Sequence, residues 1–286
     1  MSLKIMQRGF NYSQDGPGNR LVYHLQGCNL ECPWCSNPEG IPRDGCMMQT
    51  GEALPQTVCP QNGIKKGRID PDVCSLCKDY SCIEHSCGQL KWSCCLMDES
   101  EILEELDRSR MMFFDGGGLT LTGGEATLQF EEIKSLLAAA RRSKIHTALE
   151  TNATHPRLPE LFPVVDWLIM DFKHYDDAVH EDTLGISGAI VKENIRKAAK
   201  QSCEMLVRIP LVNGFNASKE DAQAFAEFLR DCNITEVELL KYHEYGREKW
   251  RQCGRRYTVK DGFVSDIQYQ DILQTFGSYK ITCVST

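Results

Sequence analysis

The sequence predicts an α/β fold, a partial, TIM-like (β/α)6 barrel that carries one small cysteine-rich insert after its first strand. Three observations lead there. Short apolar runs alternate with amphipathic segments along most of the 286 residues, as in a parallel sheet covered on both faces. Six such units fall short of the eight that close a barrel; an open doubly wound sheet is the alternative this pattern leaves standing. Residues 46–95 break the alternation and hold most of the 15 cysteines.

The expected strands run over 21–27, 118–122, 145–151, 167–173, 204–212 and 236–242, with a last one at 279–284. Helices fall between them. Ile102, Leu103 and Leu106 recur at helical spacing within 99–114, and Ile133, Leu136 and Leu137 do so within 130–142. Helices over 192–201 and 219–232 follow, the second opened by Ser218 with Asp221 three residues on, a capping-box start. Residues 1–45 and 96–286 then form one discontinuous barrel unit. Residues 46–95, rich in Cys, Gly, Pro and Lys, form a satellite grafted into a βα loop, where such folds place function.

Composition excludes several classes. The net charge is −8 with no basic block, so neither a nucleic-acid groove nor an anionic-membrane anchor is indicated. No apolar run reaches the roughly 18 residues of a membrane span. The first ten residues lack the apolar core of a signal peptide, and the expected compartment is the cytoplasm. An odd cysteine count in a long chain of this kind favours metal binding over a disulfide framework.

The first motif is Cys28-Asn-Leu-Glu-Cys32-Pro-Trp-Cys35, on the loop leaving the first expected strand. Iron–sulfur clusters are normally held by four cysteines; three at this spacing leave one iron open to an outside ligand. A zinc site or three unrelated thiols is the bland alternative, although zinc sites favour paired C-x2-C units. Leu121-Thr-Gly123-Gly124-Glu125 closes the second strand, with glycines that admit close backbone approach and a carboxylate able to accept from an ammonium group. Glu150-Thr-Asn152 closes the third strand and Asp171-Phe-Lys173 the fourth, where a spacing of two sends Asp171 and Lys173 to one side. Arg208 opens Arg-Ile-Pro-Leu-Val-Asn-Gly-Phe-Asn216, and His243 lies in Lys241-Tyr-His-Glu-Tyr-Gly246. Apart from the cysteine triad, each motif alone reads as an ordinary turn, a surface ion pair, a strand-end arginine or a structural histidine. All six sit at carboxyl ends of successive strands, which in an α/β barrel is a single face.

The C-x3-C-x2-C spacing with Trp34 before its third cysteine resembles the signature of the radical S-adenosylmethionine superfamily. Asp15-Gly16-Pro17-Gly18-Asn19-Arg20, Leu25-Gln26-Gly27-Cys28 and Ser36-Asn37-Pro38-Glu39 resemble the opening of the glycyl radical enzyme-activating enzymes, such as pyruvate formate-lyase activating enzyme. The resemblance covers essentially the whole chain. It implies a 4Fe-4S cluster on Cys28, Cys32 and Cys35 that binds S-adenosyl-L-methionine. It implies an electron from a flavodoxin or ferredoxin and a 5′-deoxyadenosyl radical that takes hydrogen from a glycine of a partner glycyl radical enzyme. It assigns cofactor contacts to Trp34, Gly123, Gly124, Glu125, Glu150, Asn152, Asp171, Lys173, Arg208 and His243. Lys173 joins the three cysteines in the catalytic set, and Asp15, Gly16, Pro17 and Gly18 are implied contacts for the partner. Glu150 stands where the family often has Asp, and Asn213 replaces a usual Pro. Two other readings stay open: a radical enzyme acting on a small molecule, and a non-enzymatic electron carrier.

In the insert, Cys74-x2-Cys77-x4-Cys82-x4-Cys87 has the most cluster-like spacing, and Cys59-Pro60 upstream resembles the joint between the halves of a bacterial ferredoxin. At least one auxiliary 4Fe-4S cluster is expected there, on Cys74, Cys77, Cys82 and either Cys87 or Cys59. A zinc-stabilised insert is the competing reading.

Overall fold

The computed structural model describes residues 1–201 and 203–284. The chain opens with β1 (Ser2–Tyr12), which turns back antiparallel into β2 (Asn19–Leu25). Next come β3 (Met47–Gln49), the two-residue strands β4 (Ile64–Lys65) and β5 (Arg68–Ile69), the short helices α1 (Pro71–Leu76) and α2 (Ser81–His85), and β6 (Leu90–Trp92). The strand β7 (Cys95–Asp98) returns to pair with β1, so Cys95 belongs to the main sheet.

From there the alternation is regular. It runs α3 (Glu99–Arg108), β8 (Gly118–Gly123), α4 (Phe130–Arg142), β9 (His146–Thr151), β10 (Trp167–Asp171), α5 (Asp177–Leu184) and α6 (Ala189–Ala198). It ends with β11 (Glu204–Leu211), α7 (Lys219–Asp231), β12 (Glu236–Lys241), α8 (Arg247–Gln252), α9 (Asp266–Ser278) and β13 (Thr282–Val284). No helix among the described residues is long and apolar enough to cross a membrane.

One nine-stranded sheet has the order β13-β12-β11-β10-β9-β8-β2-β1-β7. Strands β2 and β8 to β13 are parallel and lie in sequence order. A doubly wound sheet reverses its order at a switch point; this one does not, and its winding is that of a partial TIM barrel. The expected strands are present within a few residues. The first strand of the chain, however, is the antiparallel β1, so the insert follows the second strand. Two boundaries also move. The helix expected to reach residue 114 ends at Arg108, and the last strand begins at Thr282 because Tyr279 caps α9.

Side-chain alternation divides the sheet into two faces. Leu21, Tyr23 and Leu25, then Leu119 and Leu121, Leu168 and Met170, Val207 and Ile209, and Val237 and Leu239 join one buried core with the helices. The alternate positions include Arg20, Thr120, Thr122, Asp171, Arg208 and Glu238, which turn to the other face. The inner wall of the partial barrel therefore carries buried polar and charged groups. A separate small core, Met47, Leu54, Ile64, Ile69, Cys82 and Leu90, lies within 46–95.

Candidate active site

Cys28, Cys32 and Cys35 lie on the loop that leaves β2. The loop is closed by backbone bonds, Gly27 N to Gly40 O at 2.9 Å and Cys28 N to Ile41 O at 3.0 Å, and Cys35 N turns back to Cys32 O at 3.1 Å. Helix α8 holds it from outside: Trp250 Nε1 donates to Cys35 O at 2.8 Å, and Lys249 reaches Asn37 Oδ1 and Glu39 Oε1, each at 2.7 Å. Leu30 and Cys32 pack on Leu184, with Trp34, Ile186 and Phe215 around them. Burial among these apolar groups pushes the Cys28 and Cys32 thiols up to about 12 and Cys35 up to about 11.

The three thiols open onto a cavity of about 240 Å³, walled by the carboxyl ends of the parallel strands. Trp34, Gly123, Gly124, Glu150, Asn152, Asp171, Lys173, Arg208 and His243 all line it. Of the implied cofactor contacts, only Glu125 stands back from the wall. Its buried carboxylate accepts from Thr127 N at 3.0 Å, Thr151 Oγ1 at 2.7 Å and Asn152 N at 2.6 Å. It ties the end of β8 to the end of β9. The glycines before it have a second reason to be there: a Cβ on Gly124 would stand 2.3 Å from Gly27 O and 2.6 Å from Gly40 O. The β8 end packs backbone to backbone against the cysteine loop.

The wall carries opposed charges. Lys173 Nζ bonds Asp171 Oδ2 at 2.6 Å. Burial alone would lower the lysine, but Asp171 and the nearby Cys32 hold it above its ordinary range. The Arg208 guanidinium is shared among Glu150, Glu238 and Gln14 O, the last at 2.7 Å. Thr122 Oγ1 donates to the other oxygen of Glu150 at 2.9 Å. Burial pushes Glu150 up to about 7 against the pull of Arg208, with Asp15 and Asp171 adding to the rise. His243 stacks on Tyr245 with ring centroids 4.3 Å apart, and burial lowers its pKa.

Sequence reasoning missed several neighbours of this wall. Glu238 is fully buried beside Arg208; its signal was Glu236-Val-Glu238-Leu, in which a strand read as apolar alternates acid with aliphatic. Asn29, between two of the cysteines, joins Asn152 at 2.8 Å and Thr154 at 2.8 Å, pinning the loop to β9.

The turn holding Asp15, Gly16, Pro17 and Gly18 connects β1 to β2 and closes with Ser13 N on Gly18 O at 3.1 Å. It tucks against the inner wall: Thr120 Oγ1 donates to Asp15 O at 2.7 Å, and Gln14 O meets Arg208. Gly18, at φ +66°, has no room for a side chain, since a Cβ would lie 2.3 Å from Phe114 O. Outside, the turn is flanked by Tyr12, Met112 and Phe114, all exposed. Tyr12 and Phe114 are in ring contact at 6.0 Å, and Asn19 N donates to Phe114 O at 3.1 Å.

The insert cysteines do not reach this cavity. Cys59 and Cys74 approach each other across Gly63, whose added Cβ would lie 3.3 and 3.6 Å from the two sulfurs. Burial, then the neighbouring Cys59, Cys82 and Cys77, pushes Cys74 up to about 12. Cys87 is exposed.

Known proteins match this geometry. The family model of the Radical SAM superfamily matches residues 22–229, and the chain belongs to that superfamily. A 4-hydroxyphenylacetate decarboxylase activating enzyme of Clostridioides difficile (strain 630) is 29% identical over 94% of this chain and 91% of its own. An isethionate sulfite-lyase activating enzyme of Desulfovibrio desulfuricans is 33% identical, over 84% of this chain and 83% of its own. A solved domain of a pyruvate-formate lyase-activating enzyme from Bacteroides vulgatus superposes with a TM-score of 0.50 at 26% identity, covering 59% of this chain and 98% of that one. Within the superfamily, the chain is one of the activating enzymes of glycyl radical enzymes.

Proposed function

We propose that the cavity at Cys28, Cys32 and Cys35 cleaves S-adenosylmethionine reductively and that the chain thereby installs a radical on a glycine of a partner enzyme. The carrying observation is that three thiols and the charged ends of the parallel strands wall one cavity. The donor set fits a 4Fe-4S cluster with one open iron, because these three are the only cysteines among the described residues lining the cavity. Cys28, Cys32 and Cys35 would hold the cluster, which would supply the electron for reductive cleavage of the sulfonium and hence the radical that takes hydrogen from the partner's glycine.

The chain's own residues bind, orient and exclude water. Leu30, Leu184 and Phe215 keep the thiols in an apolar wall. Thr122, Gly123, Gly124, Asn152 and His243 shape the nucleotide's bed. Glu150 and Asp171 supply negative charge to a cationic ligand, with Arg208 and Lys173 fixing their orientation.

For residues 46–95, taken as a separate unit, we propose a ferredoxin-like insert with an auxiliary 4Fe-4S cluster on Cys59, Cys74, Cys77 and Cys82. Mutual proximity supports Cys59 over the exposed Cys87 as the fourth ligand. The proposed docking face for the partner is the Asp15–Gly18 turn with the exposed apolar side chains of Tyr12, Met112 and Phe114 beside it. Its continuity with Arg208 and the cavity supports this reading. A flavodoxin or ferredoxin in the cytoplasm is the proposed electron donor.

The test is anaerobic. Reconstituted chain, S-adenosylmethionine and a reductant are mixed with a candidate glycyl radical enzyme and followed by electron paramagnetic resonance. A glycine-centred doublet on the partner, with 5′-deoxyadenosine formed, is the expected result. Nucleotide cleavage without transfer to any such enzyme favours a small-molecule substrate; no cleavage at all leaves only an electron carrier.

A further inference from the structure

Cys46 and Cys253 stand apart from both cysteine groups considered so far. They are 207 positions apart in sequence, yet their sulfurs lie 3.9 Å from each other. Cys46 opens the insert just before β3, and Cys253 ends α8, which packs on β3. The pair lies behind the catalytic loop. Cys46 Sγ also reaches Glu39 O at 3.7 Å, and its backbone N donates to Ser93 Oγ at 2.9 Å. From the same helix, Trp250 and Lys249 grip Cys35 O, Asn37 and Glu39.

We propose that Cys46 and Cys253 form a redox-active dithiol that closes reversibly to a disulfide, latching the insert to the helix that holds the Cys28–Cys35 loop. The sulfurs must close from contact to about 2.05 Å. Exposure assigns the order of attack, because Cys46 is partly exposed and Cys253 is only 2% exposed. The Cys46 thiolate attacks one sulfur of a low-molecular-weight disulfide and expels one thiolate. Cys253 then gives up its proton, attacks the Cys46 sulfur and expels the second. The pair loses two electrons, the small disulfide gains them, and both protons end on the two thiols released.

Electrostatics agree with that order. The hydrogen bond shared with Cys253, helped by Ser93 and Arg255, holds Cys46 below the ordinary thiol range although burial opposes it. The same hydrogen bond and burial hold Cys253 far above it. This asymmetry is that of an attacking and a resolving thiol.

The test uses the holoenzyme in an oxygen-free atmosphere. It is treated with oxidised glutathione, alkylated and mapped by mass spectrometry without reduction. Expected are a Cys46–Cys253 cross-linked peptide, the loss of two alkylatable thiols, reversal by a dithiol reductant and unchanged iron content. C46S and C253S should each lack the cross-link and keep full iron. Alkylation of both cysteines after treatment overturns the proposal, as does stable glutathione on Cys46 with no cross-link. Iron loss in C46S or C253S also overturns it by making the pair cluster ligands. The wild-type map decides even if a variant folds poorly.

Discussion

The catalytic loop and the insert both gather cysteines, yet their surroundings differ in kind. Around Cys28, Cys32 and Cys35 stand Asp171, Lys173, Arg208 and Glu150, contributed by β9, β11 and the end of β10 and facing a common cavity. Around Cys59, Cys74 and Cys82 stand Val58, Ile64, Ile69 and Ile83, a small apolar shell. In the proposed function the same donor atom serves two purposes. Charged side chains beside open volume equip a site to bind a cationic nucleotide, whereas an apolar shell equips one only to hold a cluster. Small units that lack a sufficient core commonly rely on such staples.

The largest expected effect comes from the first region. Cys32→Ser should abolish 5′-deoxyadenosine formation and remove about four irons per chain, leaving the insert's iron in place. Product assay and iron analysis measure both. Next is Arg208→Ala, which removes the guanidinium shared by the buried carboxylates of Glu150 and Glu238. It should cost about 3–5 kcal/mol of stability, read by denaturant unfolding, and a preserved midpoint would contradict the shared-guanidinium account. Cys74→Ser tests the second region. Nucleotide cleavage driven by a chemical reductant should survive, while iron falls by one cluster.

A smaller effect is expected from pH. Glu150 sits near 7, above the ordinary carboxylate value. It is neutral below that point and charged above it, so binding of the cationic nucleotide should strengthen a few-fold as pH rises through about 7. Calorimetry of Glu150→Gln should show this dependence flattened. The stability sign is opposite: with the folded pKa raised, this group's contribution is full below the ordinary carboxylate value and is lost as pH rises through about 7. Least affected should be Cys87→Ser. Its exposed side chain predicts unchanged iron content, and loss of iron would restore Cys87 as a ligand.

Much of this comparison was legible in sequence. The cysteine triad and the carboxyl-end motifs are local patterns, and sheet winding brings local patterns at strand ends to one face. What was not legible depends on distant pairings. Glu238 was given no role in the sequence because its partner, Arg208, lies on the neighbouring strand. The bonds that Glu125 accepts from Thr151 and Asn152 were not legible, because nothing local shows those residues arriving at the end of β9. The strand β1 was missed because Arg8, Gly9 and Asn11 interrupt its apolar pattern, and it is held mainly by pairing with β2. The proximity of Cys59 to Cys74, and the exposure of Cys87, depend on the fold of 46–95 itself.

The central claim is that the triad loop, and not the insert, presents an open iron to the nucleotide. It is tested most directly in the Cys74→Ser chain, reduced and mixed with S-adenosylmethionine labelled with 15N at its amino group, by electron-nuclear double resonance. Hyperfine coupling between the remaining cluster and the labelled nitrogen is the predicted result. A reduced cluster on Cys28, Cys32 and Cys35 with no such coupling would contradict it.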